Sequence, residues 1–389
     1  MTELSVVYRP LDLDTIHDPY PVYAAMRATG SPCWSDILGS WVVTSYDDCR
    51  RVLEDHETFA ADRRRGGDKV PDIALNVHSL DPPEHTAISR ELAGTLRKVS
   101  SADLAARVRV EIGRRLDALP AGPTNLITAF TEPLACWFLS EALGLPALDT
   151  LEIRLLGEAI HYAMDSALMP ERREPGRVAH RRLAALIETW LAEMPAGRPL
   201  SSMVRRANKN GVARQVVVNS IRTLVVNAFT SLPSSVGNVI CALGREENLL
   251  DQTVDLGRAV QEFLRHESPS QGTTRLCVAD TELAGTPIRS GDSVYVLVAA
   301  ANRDPAKFDE PDRLRLDRRP NPHMAFGHGV HACAAALLSR MLLRELLAVL
   351  TERRVVVRLA GPVVHKSAAT VRMIAELPAA LAPRTNGQG

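Results

Sequence analysis

One cysteine does most to limit what this chain of 389 residues can build. Cys333 lies in Pro322-His-Met-Ala-Phe-Gly-His-Gly-Val-His-Ala-Cys333, and the Ala/Leu-rich run Ala334-Ala-Ala-Leu-Leu-Ser-Arg340 follows it. A glycine-punctuated loop thus delivers a single sulfur to the start of a helix. Glycines at 327 and 329 let the backbone pass close to something flat and bulky. The new helix points unpaired N–H groups and its positive dipole end at the sulfur. Such a setting lowers a cysteine pKa and favours the thiolate, which is a metal ligand or a nucleophile. A buried structural cysteine is the plain alternative. A zinc site built from His328, His331 and Cys333 is another, but it requires a fourth ligand and a closed pocket. No second Cys/His pair stands at suitable spacing.

Composition narrows the class. Hydrophobic residues make up 46% of the chain, enough for a substantial core, and 46 basic residues balance 46 acidic ones. That balance provides no global field for nucleic acid or an anionic membrane. The cysteines at 33, 49, 136, 241, 277 and 333 lack pairing spacings, which suits a reducing compartment. The start, Met1-Thr-Glu-Leu-Ser-Val-Val-Tyr-Arg9, has no basic region followed by an apolar core, so no secretory signal is expected. The longest apolar helical stretch, about 221–243, is interrupted by Arg222, Asn227 and Pro233 and is a poor membrane span. A cytoplasmic protein is expected.

No repeat, low-complexity tract or linker divides the sequence, which predicts a single domain over 1–389. Short β-like runs such as Ser40-Trp-Val-Val-Thr-Ser45 open it, followed by a helix over 47–54. Helical periodicity dominates 84–350, with breaks at 120–123, 144–146 and 170–175. Residues 274–297 read as β, with turns at Gly285-Thr-Pro and Ser290-Gly-Asp, and 355–381 alternate as short strands. The fold class is mainly α with small β-sheets.

The order Phe326-Gly-x-Gly-x-His-x-Cys333, followed by a helix carrying Leu338 and Arg340, closely resembles the cysteine loop of the cytochrome P450 family. The resemblance spans most of the chain. His17-Asp-Pro-Tyr-Pro-Val-Tyr and Ala301-Asn-Arg-Asp-Pro305 with Phe308 add to it. It implies a cytochrome P450 fold holding haem b, with Cys333 as the axial ligand of the iron. A thiolate there pushes electron density onto bound oxygen and favours O–O cleavage. Glu262-Phe-Leu-Arg265 places a carboxylate and a guanidinium on one helix face. By resemblance they form a buried structural triad with Arg318, where a forked guanidinium suits a planar network. Asp81-Pro-Pro-Glu-His85 resembles the segment whose histidine bonds a haem propionate, with Arg275 and His331 as further partners. The family often has an arginine four residues after that histidine. Here that position is Ser89 and the arginine is Arg90, about 100° further round a helix. Ala228 and Phe326 are implied haem contacts.

The strongest departure is in the long helix. Family oxygenases often read Ala-Gly-x-Glu-Thr-Thr there, whereas this chain has Asn227-Ala-Phe-Thr-Ser231. Thr230 stands in place of the acid and Ser231 in place of the alcohol, so hydroxyls remain to pass protons while the carboxylate is gone. Pro233 lacks an N–H and predicts a kink. The resemblance implies an O2-dependent monooxygenase or oxidase acting on a small organic substrate, of specialised-metabolite type. Electrons would come from a separate ferredoxin-type partner, docked near Arg340 and Arg344. Substrate contacts are expected at Asn227, Thr273 and Thr274 and in the loop 63–80, where Arg63-Arg64-Arg65 allows for a carrier-protein-bound substrate. Two competing readings remain. One is a haem-binding or degenerate scaffold assisting a partner enzyme. The other is a haem-thiolate enzyme performing coupling or rearrangement instead of hydroxylation.

Overall fold

The computed structural model describes residues 7–246, 249–250 and 255–383. The start of the segment read for a secretory signal lies outside them. Among the described residues thirteen α-helices carry the chain: α1 (Leu13–His17), α2 (Tyr20–Ala28), α3 (Tyr46–Glu54), α4 (Glu84–Val99), α5 (Ala102–Asp117), α6 (Glu132–Leu143) and α7 (Thr150–Met164) come first. They are followed by α8 (Arg173–Glu193), α9 (Pro199–Lys209), α10 (Arg214–Arg245), α11 (Leu256–His266), α12 (Val298–Ala301) and α13 (Ala336–Glu352). Local chemistry sets several starts. Ser45, Ser101, Asp149 and Asp255 each accept a backbone N–H from the first turn of α3, α5, α7 and α11. The break expected over 170–175 is shorter than the sequence suggested. Pro175 sits inside the first turn of α8, where an absent N–H leaves no helix bond unmade.

Helix α10 runs through the centre. Its Val217, Ile221, Val225, Phe229, Leu232, Val236 and Ile240 are all buried in the main core. It is the one described helix long and apolar enough to cross a membrane, but 78% of that stretch is buried inside the protein. The helix runs from 214 to 245 with Pro233 inside it. Surrounding helices hold it on every turn. Helix α13 packs beside it through Leu338, Leu342, Leu346 and Leu350, a three-to-four-residue stripe. Each such side chain contributes about 1.5–3 kcal/mol by leaving water.

The β elements are small and peripheral. A five-stranded sheet has the order β1 (Cys33–Ser35), β2 (Ser40–Val43), β8 (Ser293–Val296), β5 (Thr273–Cys277), β3 (Phe59–Ala60), with β2 and β8 parallel. Strand β12 (Pro378–Pro383) pairs with β4 (Thr124–Asn125) and β9 (Val355–Leu359). Two hairpin-like pairs complete the set: β6 (Thr281–Leu283) with β7 (Thr286–Ile288), and β10 (Val364–His365) with β11 (Ile374–Glu376). The first sheet matters for function, because β5 carries Thr273, Thr274 and Arg275 to the side of α10.

Candidate functional site

The cysteine loop is fastened before the helix begins. Met324 N–H donates to Asn302 Oδ1 at 2.7 Å, Tyr46 O–H to the Pro322 carbonyl at 2.7 Å, and Cys333 N–H to the Phe326 carbonyl at 2.8 Å. Gly327 and Gly329 both adopt φ +70°, and a Cβ on Gly329 would stand 2.2 Å from the Leu53 carbonyl oxygen. The loop therefore lies directly on the end of α3, where His328 Nε2 also meets Glu54 Oε1 at 2.7 Å. Helix α13 starts at Ala336, three residues beyond the sulfur, and the N–H groups of Ala335 and Ala336 bond to Cys333. The expected lowering of its pKa is not found. Burial pushes the Cys333 thiol up and outweighs those N–H groups and Arg340. The polypeptide alone does not make a thiolate; a coordinated cation would. Cys333 is also exposed. The residue thus keeps open surface although protein atoms crowd its sulfur.

A second group of side chains calls for an anion. Arg275 is buried, 6% exposed, and donates only to Thr273 Oγ1 at 3.2 Å and the Thr274 carbonyl at 2.9 Å. Among the described residues it has no carboxylate at ion-pair distance. His331 Nε2 lies 3.2 Å from Asp81 Oδ1, while its Nδ1 is buried without a partner. The His85 ring stands 4.4 Å from the His331 ring. Burial would raise Asp81, but hydrogen bonds from His331, the Asp62 and Ala61 N–H groups and Arg65 hold it at about 2. Burial and the neighbouring His331 push His85 down to about 4. An anion seated here would compensate Arg275. These residues fit a haem propionate, and Cys333 fits the iron. Arg90 does not join them: it is exposed on the outer face of α4, while Ser89 shares the face of His85.

Behind the loop, Glu262, Arg265 and Arg318 form one buried network, at 0%, 1% and 5% exposure. Arg265 donates to both Glu262 oxygens at 2.8 Å, and Arg318 Nε reaches them at 3.0 and 3.1 Å. The two guanidinium groups spend their other N–H bonds on the carbonyls of Asn302, Asp309, Glu310, Pro311 and Arg313. Burial alone would raise Glu262, and the hydrogen bonds from Arg265, Arg315 N–H and Arg318 bring it below the usual carboxylate range. The network fastens the strand of chain that leads into the cysteine loop.

On α10 the residues Asn227, Ala228 and Ser231 are half-buried while Val225, Val226, Phe229 and Thr230 are buried. The three share one helix face, which is left half-open. Ser231 Oγ donates to the Asn227 carbonyl at 2.6 Å, leaving its oxygen free to accept. Thr230 points elsewhere. Its Oγ1 lies 3.2 Å from Nε2 of His161 on α7, whose Nδ1 is 3.2 Å from the Gly157 carbonyl. A carbonyl only accepts, so Nδ1 carries a proton. Burial holds His161 at about 4, so Nε2 is bare at neutral pH and can accept from the Thr230 hydroxyl. Thr230 Oγ1 also stands 3.0 Å from the Val226 carbonyl and 3.2 Å from the Asn227 carbonyl, so its one proton has acceptors on both α7 and its own helix. Sequence reasoning missed His161 and also His78, whose Nδ1 meets Asn227 Nδ2 at 3.3 Å. A lone histidine on an amphipathic helix or in a polar loop carries no signal of its own. Thr273 and Thr274 lie beside Arg275 on β5, with Thr274 exposed.

The fold and the cysteine site define a haem-thiolate class of protein, and comparison with known proteins agrees. The family model described as Cytochrome P450 matches residues 252–353. The Cytochrome P450 monooxygenase PikC of Streptomyces venezuelae is 31% identical over 370 residues, covering 88% of this chain and 85% of that protein. The mycinamicin IV hydroxylase/epoxidase of Micromonospora griseorubida is 30% identical over 83% of this chain and 84% of its own length. Among solved structures, a mutant of P450 EryK in complex with erythromycin B superposes with a TM-score of 0.83 at 26% identity, covering 96% of this chain and 99% of that one. The chain belongs to the cytochrome P450 family. It is a haem b protein and a cytochrome P450 monooxygenase, acting on a small molecule with electrons from a redox partner.

Proposed function

We propose that residues 1–389 form one haem-thiolate monooxygenase domain that oxidises a specialised-metabolite substrate with O2 and electrons from a separate ferredoxin-type protein, in the cytoplasm. Cys333 would ligate the iron, His85, Arg275 and His331 would hold the propionates, and Ala228 and Phe326 would pack on the ring. Bound haem supplies oxygen activation; the polypeptide supplies position and protons. The observation that carries this reading is the coincidence of an open, strongly desolvated Cys333 with a buried Arg275 that has no carboxylate at ion-pair distance among the described residues. The hydroxylases named among the relatives support the substrate class. The half-open face of Asn227 and Ser231 supports their role at the reacting centre. The test is the difference spectrum of the reduced, carbon-monoxide-bound protein. The wild-type chain is expected to show the thiolate-type Soret band and Cys333→Ala to lose it, even if some haem remains. A band that survives the substitution makes another residue the ligand.

A second reading has its own support. The Thr230 hydroxyl is buried among His161 and the Val226 and Asn227 carbonyls, so of the two hydroxyls only Ser231 lies on the half-open face of α10. Such a site suits coupling or rearrangement, where the substrate carries its own protons, better than a full two-proton relay.

A further inference from the structure

The segment 72–78 is a loop, yet α10 holds it as firmly as a strand. Asn219 Nδ2 donates to the carbonyls of Asp72 and Leu75, each at 2.8 Å, and Arg222 Nη2 donates to the Ile73 carbonyl at 2.7 Å. Ser220 Oγ accepts the Val77 N–H at 3.0 Å. Asn219, Ser220 and Arg222 are 0%, 0% and 2% exposed, so these bonds are made away from water. Nor does Arg222 neutralise a carboxylate: its Nη groups hold the Asn219 amide and that loop carbonyl, and its Nε is buried without a partner. Three costly buried polar groups therefore act together to position one short segment.

That segment ends at His78, whose Nδ1 is 3.3 Å from Asn227 Nδ2 on the half-open face of α10. An amide nitrogen donates, so Nδ1 accepts and the ring proton sits on Nε2. His78 has the same pair of properties as Cys333, being exposed and strongly desolvated at once. His331, Arg275 and His161 each oppose its charged form, so all three lie within electrostatic reach of it. The result is a neutral imidazole, held in tautomer by Asn227, with its N–H on Nε2 and open surface onto the space beside the half-open α10 face of Asn227 and Ser231.

We propose that His78 is a specificity-determining residue, presenting its Nε2–H to a hydrogen-bond acceptor, a carbonyl or ether-type oxygen, on the substrate. Asn227 is its positioning residue. This rests on the reading of that space as the haem-side cavity. It assigns the substrate class by chemistry: a molecule with an acceptor oxygen near the oxidised carbon, not a plain hydrocarbon.

The experiment uses the haem-loaded full chain and two probes of nearly the same shape, acetophenone and isopropenylbenzene, which differ by C=O against C=CH2. Their dissociation constants are read from the Soret shift on binding. His78→Phe should lower the acetophenone-to-isopropenylbenzene affinity ratio about 5-fold, the worth of one net hydrogen bond. His78→Gln, which keeps a donor, should restore part of the ratio, and Asn227→Ala should lower it while leaving His78 in place. An unchanged ratio in His78→Phe overturns the proposal, as does an equal loss for both probes, which would make His78 a wall. The thiolate-type band is recorded for every variant. Its absence from the wild-type chain would defeat the reading of the site, whereas a normal band with an unchanged ratio defeats only the assignment to His78.

Discussion

Thr230 and Ser231 are adjacent in sequence and opposed in space, and that opposition decides the proton question. About 100° of helix rotation sends one hydroxyl to His161 and the other to the cavity face. Two substitutions separate their roles. Thr230→Val removes the only donor to the buried Nε2 of His161, which is expected to cost about 1–3 kcal/mol in denaturant unfolding while leaving coupling of electrons to product largely intact. Ser231→Ala is expected to cut coupled turnover about 100-fold, within the range of a proton-transfer group, with the lost reducing power recovered as peroxide. Coupled turnover within a few-fold of wild type would favour a substrate that carries its own protons. Both hydroxyls were legible as relay candidates from their sequence positions. Their division of labour was not, because it depends on a histidine 69 positions away.

At the scale of elements, the cysteine loop owes its place to its neighbours more than to its glycines. Glu262 is the pivot: two guanidinium groups, the Arg315 N–H and the Asn321 amide all converge on its carboxylate. Glu262→Ala would leave Arg265 and Arg318 buried without their anion, a loss of about 3–5 kcal/mol. The expected result is poorly folded or haem-free protein, checked by thermal melting and haem content. Full haem loading with an unchanged melting curve would show that the backbone carbonyls alone hold the loop. Pro233 teaches the complementary lesson. Its missing N–H leaves the Phe229 carbonyl without a helix partner, yet the buried residues on either side keep α10 continuous through it.

Across the whole molecule, a set of buried histidines sets the acid limit of stability. Burial, with neighbouring charges in some cases, pushes His161, His180, His266 and His323 each down to about 4. Unfolded, they would titrate near 6.5. Between those values the unfolded chain binds more protons than the folded one, so stability is fully present above about pH 6.5 and is lost as pH falls toward 4. Denaturant midpoints measured from pH 7.5 to 4.5 should fall steadily across that window. A flat profile would show that these imidazoles are solvated in the folded protein.

The sequence alone was enough to determine the family, the helical architecture, the cysteine loop and the charged triad. Each is written in local spacing: glycines before a cysteine, a carboxylate three residues before an arginine, apolar residues every three or four positions. Only the tertiary structure decided that Arg90 faces outward, that the Cys333 thiol is raised when the protein acts alone, and that His78 and His161 flank α10. The physical reason is common to all of these. Burial and the pairing of polar groups are set by elements distant in the chain, and no local pattern records which distant atoms will desolvate a side chain or accept its proton.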